Sequence, residues 1–118
     1  MIKFLKGENI MSRFYVLGSY SGMALEGFMK KPEDDRKSAV NKLVEGMGGK
    51  VFMFDIVRGT HDIIVGIEGI DFDSIASVKI AILSTGVINN MEILEAVDIS
   101  KIVSNAGKAL SNYSKPGE

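Results

Sequence analysis

Residues 50–68 read KVFMFDIVRGTHDIIVGIE. Two β-branched and aromatic runs flank a short polar break, the pattern of a β-hairpin. One strand is assigned to Lys50–Val57 and the next to His61–Glu68, with Arg58–Thr60 as the connection. Gly59 supplies the residue that tolerates positive φ in such a turn. Neither run alternates cleanly. Phe52, Phe54 and Ile56 fall on one side, and Val51, Met53 and Val57 on the other. Ile63, Val65 and Ile67 oppose Ile64 and Gly66. An antiparallel strand with one face in water alternates apolar with polar residues. These strands are therefore expected to be covered on both faces.

Outward from the hairpin, RFYVLGSY (residues 13–20) is aromatic and β-branched and reads as a first strand. SGMALEGFMKK (residues 21–31) places Met23, Leu25, Phe28 and Met29 at helical spacing until Pro32 interrupts it. A helix restarts there: Pro32, Glu33, Asp34 and Asp35 suit a helix start. Ala39, Val40, Leu43, Val44 and Met47 form its apolar stripe, and Gly48 and Gly49 stop it. After the hairpin, DFDSIASVKIAILSTG reads as another helix, capped by Asp71 or Asp73 and closed by Gly86. Its stripe is Ile75, Val78, Ile82 and Leu83. VINNMEILEAV (residues 87–97) is a fourth strand, with Ile88, Leu94 and Ala96 set against Val87, Met91, Ile93 and Val97. DISKIVSNAGKAL closes the chain as a short helix with Ile99, Ile102, Val103, Ala106 and Leu110 on one side.

The order is β-α-β-β-α-β plus a terminal helix. That predicts an α+β, ferredoxin-like antiparallel sheet with its helices on one face. Two helices cover one face only, and leaving the other wet forgoes stabilisation at about 25 cal/mol per Å² of apolar area. A second copy of the same sheet is the simplest cover, so a two-fold homodimer through sheet faces, of the dimeric α+β barrel kind, is expected. The terminal helix is the competing cover.

Bulk properties narrow the function classes. With 118 residues, one domain is expected over residues 13–110, a loosely ordered extension over 1–12 and a flexible tail over 111–118. The formal net charge is −1 and no long basic run exists, so neither nucleic acid nor an anionic membrane is an expected partner. The chain has no cysteine, which excludes thiol catalysis, disulfides and cysteine-bound metal. A single histidine makes a metal site unexpected. GMGGK lacks phosphate-loop spacing, no Gly-x-Ser-x-Gly elbow occurs, and no cofactor is expected. The apolar patch at the start is too short for a signal peptide, and a cytoplasmic location follows as the expectation.

The candidate site residues are few. His61 titrates near neutrality and is the candidate acid or base, with Asp62 beside it. Neighbours in a strand face opposite ways, which argues against a His–Asp couple within one subunit. The plainer reading makes His61 a partly polar residue at a strand end and Asp62 an acceptor for turn amides. Tyr15 and Tyr20 offer hydroxyls to a cavity, and Arg36, in the first turn of the restarted helix, offers a cation, as does Lys50 at the head of its strand. Asp55 lies inside an apolar run; if buried it must be paired or protonated.

From Phe14 to about Ile102 the chain resembles the GYD-domain family. YVLGSY, KPEDDRKSAVNKLVEGMGGKV, RGTHDIIV and STG carry the likeness. The family's Gly-x-Tyr-Asp signature corresponds to Gly59-Thr60-His61-Asp62, with histidine in place of tyrosine. The resemblance implies a ferredoxin-like fold and a dimer; the departure removes any role resting on that tyrosine hydroxyl. Two functions are carried forward. The first is a homodimeric small-molecule binder or interaction module, with Tyr15, Arg36, Asp55 and His61 as candidate ligand contacts. The second is a cofactor-independent oxygenase or isomerase using His61 as acid or base.

Overall fold

The computed structural model describes residues 12–118, so the expected extension lies, but for Ser12, outside the described residues. β1 (Arg13–Tyr20) leads into α1 (Gly22–Lys30) and α2 (Arg36–Gly46). The hairpin strands are β2 (Lys50–Ile56) and β3 (Ile63–Glu68). α3 (Phe72–Ser84), β4 (Ile88–Glu95) and α4 (Ile99–Leu110) complete the chain. All strand pairs are antiparallel and the sheet order is β2-β3-β1-β4. The architecture is α+β. The first crossover carries two helices rather than one.

The helix break is set by local chemistry. The Ser21 hydroxyl caps α1 by accepting from the Ala24 amide. α2 starts at Arg36, not at Pro32, because the Asp35 carboxylate accepts from the Ser38 amide and fixes the cap there. Asp71, not Asp73, caps α3 through the Ser74 amide. Those hydrogen bonds hold the Asp71 carboxyl below its ordinary pKa.

Register places every residue on a face. Phe14, Val16 and Tyr20 of β1 share the inner face with Ile63, Val65 and Ile67 of β3 and Ile88 and Met91 of β4. Val44 of α2 and Ile75 and Val78 of α3 close this core, and Phe14, Ile75 and Val44 are essentially inaccessible. Each such side chain contributes about 1.5–3 kcal/mol. α1 adds little: Ala24 is buried, whereas Met23, Leu25 and Met29 are exposed.

Two bulges correct the expected alternation. Val51 pairs with Ile67 and Met53 with Gly66, so Phe52 is the extra residue. Its ring lies over Gly66 and meets the Tyr15 ring edge at 5.6 Å, on the outer face. Phe52 therefore does not share a face with Phe54 and Ile56. On β4, Ser19 pairs with Asn90 and Tyr20 with Ile88, which leaves Asn89 as the extra residue. Ile88, Met91 and Ile93 thus share the inner face, while Leu94 turns outward opposite Tyr15.

The outer face carries Tyr15, Leu17, Phe52, Met53, Ile64 and Leu94. None of the helices covers it. Among the described residues α4, the competing cover, packs substantially on no other element, and every residue from Leu94 to Glu118 is exposed.

Candidate functional site

A cavity of about 100 Å³ lies between the inner sheet face and helices α2 and α3. Val40, Leu43 and Val44 line it from α2, and Ile75, Val78 and Ile82 from α3. Val16, Val65, Ile88 and Met91 form its floor, and Gly18 leaves room where a side chain would stand. A Cβ on Gly18 would meet Ile63 and Ile88 at 3.4 Å. The wall is aliphatic except at Tyr20 and Arg36.

These two polar residues are placed from different elements. Tyr20 ends β1, where its ring stands edge-on to Phe28 at 4.8 Å. Burial raises its pKa; Arg36 opposes the rise, and Asp62 and Asp34 add to it. The Tyr20 hydroxyl has no hydrogen-bond partner among the described residues. Arg36, the first residue of α2, donates from Nε to Asp34 Oδ1 at 2.6 Å. Its remaining guanidinium N–H groups have no hydrogen-bond partner among the described residues. The cavity wall therefore offers a neutral phenol and a cation already paired with a carboxylate.

Of the other candidates, none lines this cavity. Tyr15 is on the opposite face against Phe52. Asp55 is exposed on the edge strand β2, so the burial considered for it does not occur. Lys50, at the other end of β2, is exposed as well. His61 and Asp62 precede β3 rather than open it, because the connection spans six residues, 57–62, instead of three. Gly59 takes φ 154°, and the Val57 amide donates to the Asp62 carbonyl to close the loop.

Asp62 has a defined structural task. Its amide donates to the Gly18 carbonyl, and its carboxylate Oδ2 accepts from the Tyr20 amide at 2.9 Å. The side chain continues the β1–β3 ladder one step past the last paired residue. His61 turns elsewhere: its Nε2 is 3.8 Å from Glu92 Oε1 on β4, and its buried Nδ1 has no partner. The two neighbours form no couple, and the acid–base role required His61 at a cavity. Asp34 was read in the sequence only as part of a helix start, not as the partner of Arg36. An acidic residue two positions before an arginine at a helix start was the available signal.

Among the described residues no helix is long and apolar enough to cross a membrane, and no cluster of three or more His, Asp or Glu side chains is arranged to hold a metal ion. Neither the curated proteins nor the solved structures contain a significant match to the chain. The sequence profile of the GYD domain matches residues 14–106, which spans all four strands, the hairpin signature and the cavity. The chain belongs to the GYD-domain family.

Proposed function

We propose that this protein binds a small, largely apolar molecule carrying one neutral oxygen function in the cavity between sheet and helices. The observation that carries the reading is an aliphatic cavity with polar groups only at Tyr20 and Arg36. Small-molecule sites are concave, mostly apolar, and fixed by a few polar groups. At about 100 Å³ the space suits a short alkyl chain; it is smaller than the dry cavity of roughly 150 Å³ that takes benzene. A hydroxyl or carbonyl can pair with the Tyr20 hydroxyl and the free N–H groups of Arg36. A carboxylate is disfavoured, because Asp34 neutralises Arg36 and Asp62 stands nearby.

On this reading the sheet is the ferredoxin-like split βαβ arrangement, paired through its outer face with a second copy as a dimeric α+β barrel. The uncovered apolar outer face supports that pairing.

The test is an amide chemical-shift titration with 1-hexanol and, separately, hexanoate. Hexanol is expected to shift inner-face residues such as Val16, Val65 and Ile88, with hexanoate weaker. Val40→Phe, which fills the cavity, should weaken hexanol binding at least tenfold. Shifts confined to the outer face, or none at all, would overturn the proposal.

A further inference from the structure

The terminal helix α4 is strongly two-sided. Successive residues advance by about 100° around a helix, which gathers Ile99, Ile102, Val103, Ala106 and Leu110 into one stripe, continued by Tyr113 in the following turn. Lys101, Ser104 and Lys108 occupy the opposite side. Asp98 caps the helix by accepting from the Ser100 and Lys101 amides. Yet the stripe touches no other element appreciably: Ile99, Ile102, Val103, Leu110 and Tyr113 are 46–64 % exposed. A twelve-residue helix is marginal in water without a packed apolar face, and Gly107 within it costs roughly another 1 kcal/mol. The helix needs a surface that the described residues of its own protomer do not provide.

We propose that α4 is an exchanged clasp, packing its apolar stripe on a second copy of this chain. Two observations select a second copy over other occupants. First, the same protomer carries a second apolar surface, the outer sheet face, half-buried except at exposed Leu94, and α4 leaves directly from its edge strand β4 through the short connection Ala96–Asp98. A two-fold operation that pairs the outer faces sets the root of each α4, just after Leu94 on β4, at the shared interface. Second, the area is sufficient. The exposed stripe amounts to on the order of 500 Å², the size at which a patch marks an interaction site. Two such arms and the surfaces they cover bury about 2,000 Å², the upper end of the standard range for stable interfaces. A membrane surface is the weaker occupant, because α4 carries only Lys101 and Lys108, whereas polybasic attachment uses about four to eight basic residues.

The inference rests on the two-fold sheet pairing proposed above, and the experiment separates the two. Sedimentation equilibrium is measured on the full chain, on I102E/V103E in the stripe, on S104E on the polar side, and on L94E on the outer face. All four sites are exposed in the protomer, and circular dichroism checks that each variant folds. The clasp predicts a dimer that I102E/V103E weakens at least tenfold and S104E leaves unchanged. If L94E dissociates the dimer while I102E/V103E leaves it intact, the sheet pairing stands and the clasp is overturned. A monomeric full chain overturns both. Flotation with vesicles of phosphatidylcholine and phosphatidylglycerol completes the set: a monomer that floats through its stripe assigns α4 to membranes instead.

Discussion

Asp62 shows how a signature residue is explained by backbone accounting. β1 ends at Tyr20, whose amide has no strand carbonyl opposite it, and the Asp62 carboxylate takes that place. An amide left unpaired in a partly buried position costs about 1–3 kcal/mol. Asp62→Ala is therefore expected to lower unfolding free energy by that amount in urea titrations. Asp62→Asn, which retains an accepting oxygen, should lose less than half as much. Equal losses would mean that the carboxylate's charge, not its acceptor geometry, is what the fold uses. Tyr20 itself supplies a pH dependence. Burial raises its pKa above the ordinary value of about 10. A raised pKa means that the unfolded chain releases this proton first, so the contribution is complete below pH 10 and is lost as pH rises through the folded value. The stability difference between the natural chain and Tyr20→Phe should accordingly change above pH 10 and stay flat below it. In a phenolate absorbance titration one of the three tyrosines should ionise later than the others.

At the scale of elements, the strands and helices were legible because their signals are local. β1 was read from its run of β-branched and aromatic residues, and the α3 stripe from its period. Which face a strand residue occupies was not legible, and the two bulges explain why. One extra residue inverts the parity of everything beyond it. Phe52 goes to the outer face because Gly66, across the ladder, lacks a Cβ; a side chain there would approach the Phe52 ring to 2.5 Å. That pairing is a property of two strands together and is invisible in either run alone. Likewise the cavity emerges only when α2 and α3 meet the sheet, although its lining residues from α2 and α3, Arg36 apart, were already marked as apolar. Gly66→Ala tests this account. The methyl group must push the ring aside, disturbing its edge contact with Tyr15 and its stacking under Arg13 at 4.2 Å. Because the intruding atoms belong to a side chain on an edge strand, the cost should be modest, about 1 kcal/mol. Phe52→Ala should relieve it, so the double variant should be less destabilised than the sum of the singles.

For the whole molecule, the distribution of apolar surface matters more than its amount. The inner core is complete within one protomer, so a protomer should fold by itself. The outer sheet face and the α4 stripe are not needed for that; in it the face stays half-buried and the stripe exposed. Folding and assembly should therefore separate on dilution, with α4 as the reporter. In a lone protomer, α4 has only its cap and backbone bonds, and its amides should exchange with solvent quickly, as expected for a short helix that packs on nothing. In the proposed dimer the same amides should be protected. Hydrogen exchange across a dilution series should then show protection of residues 102–110 falling with concentration. Protection of Val16, Val65 and Ile75 should stay constant, because their packing is internal to the protomer. If α4 protection does not depend on concentration, the helix is stabilised without a second copy. If the inner core loses protection in parallel, folding and association are one event, and the protomer's core is not self-sufficient.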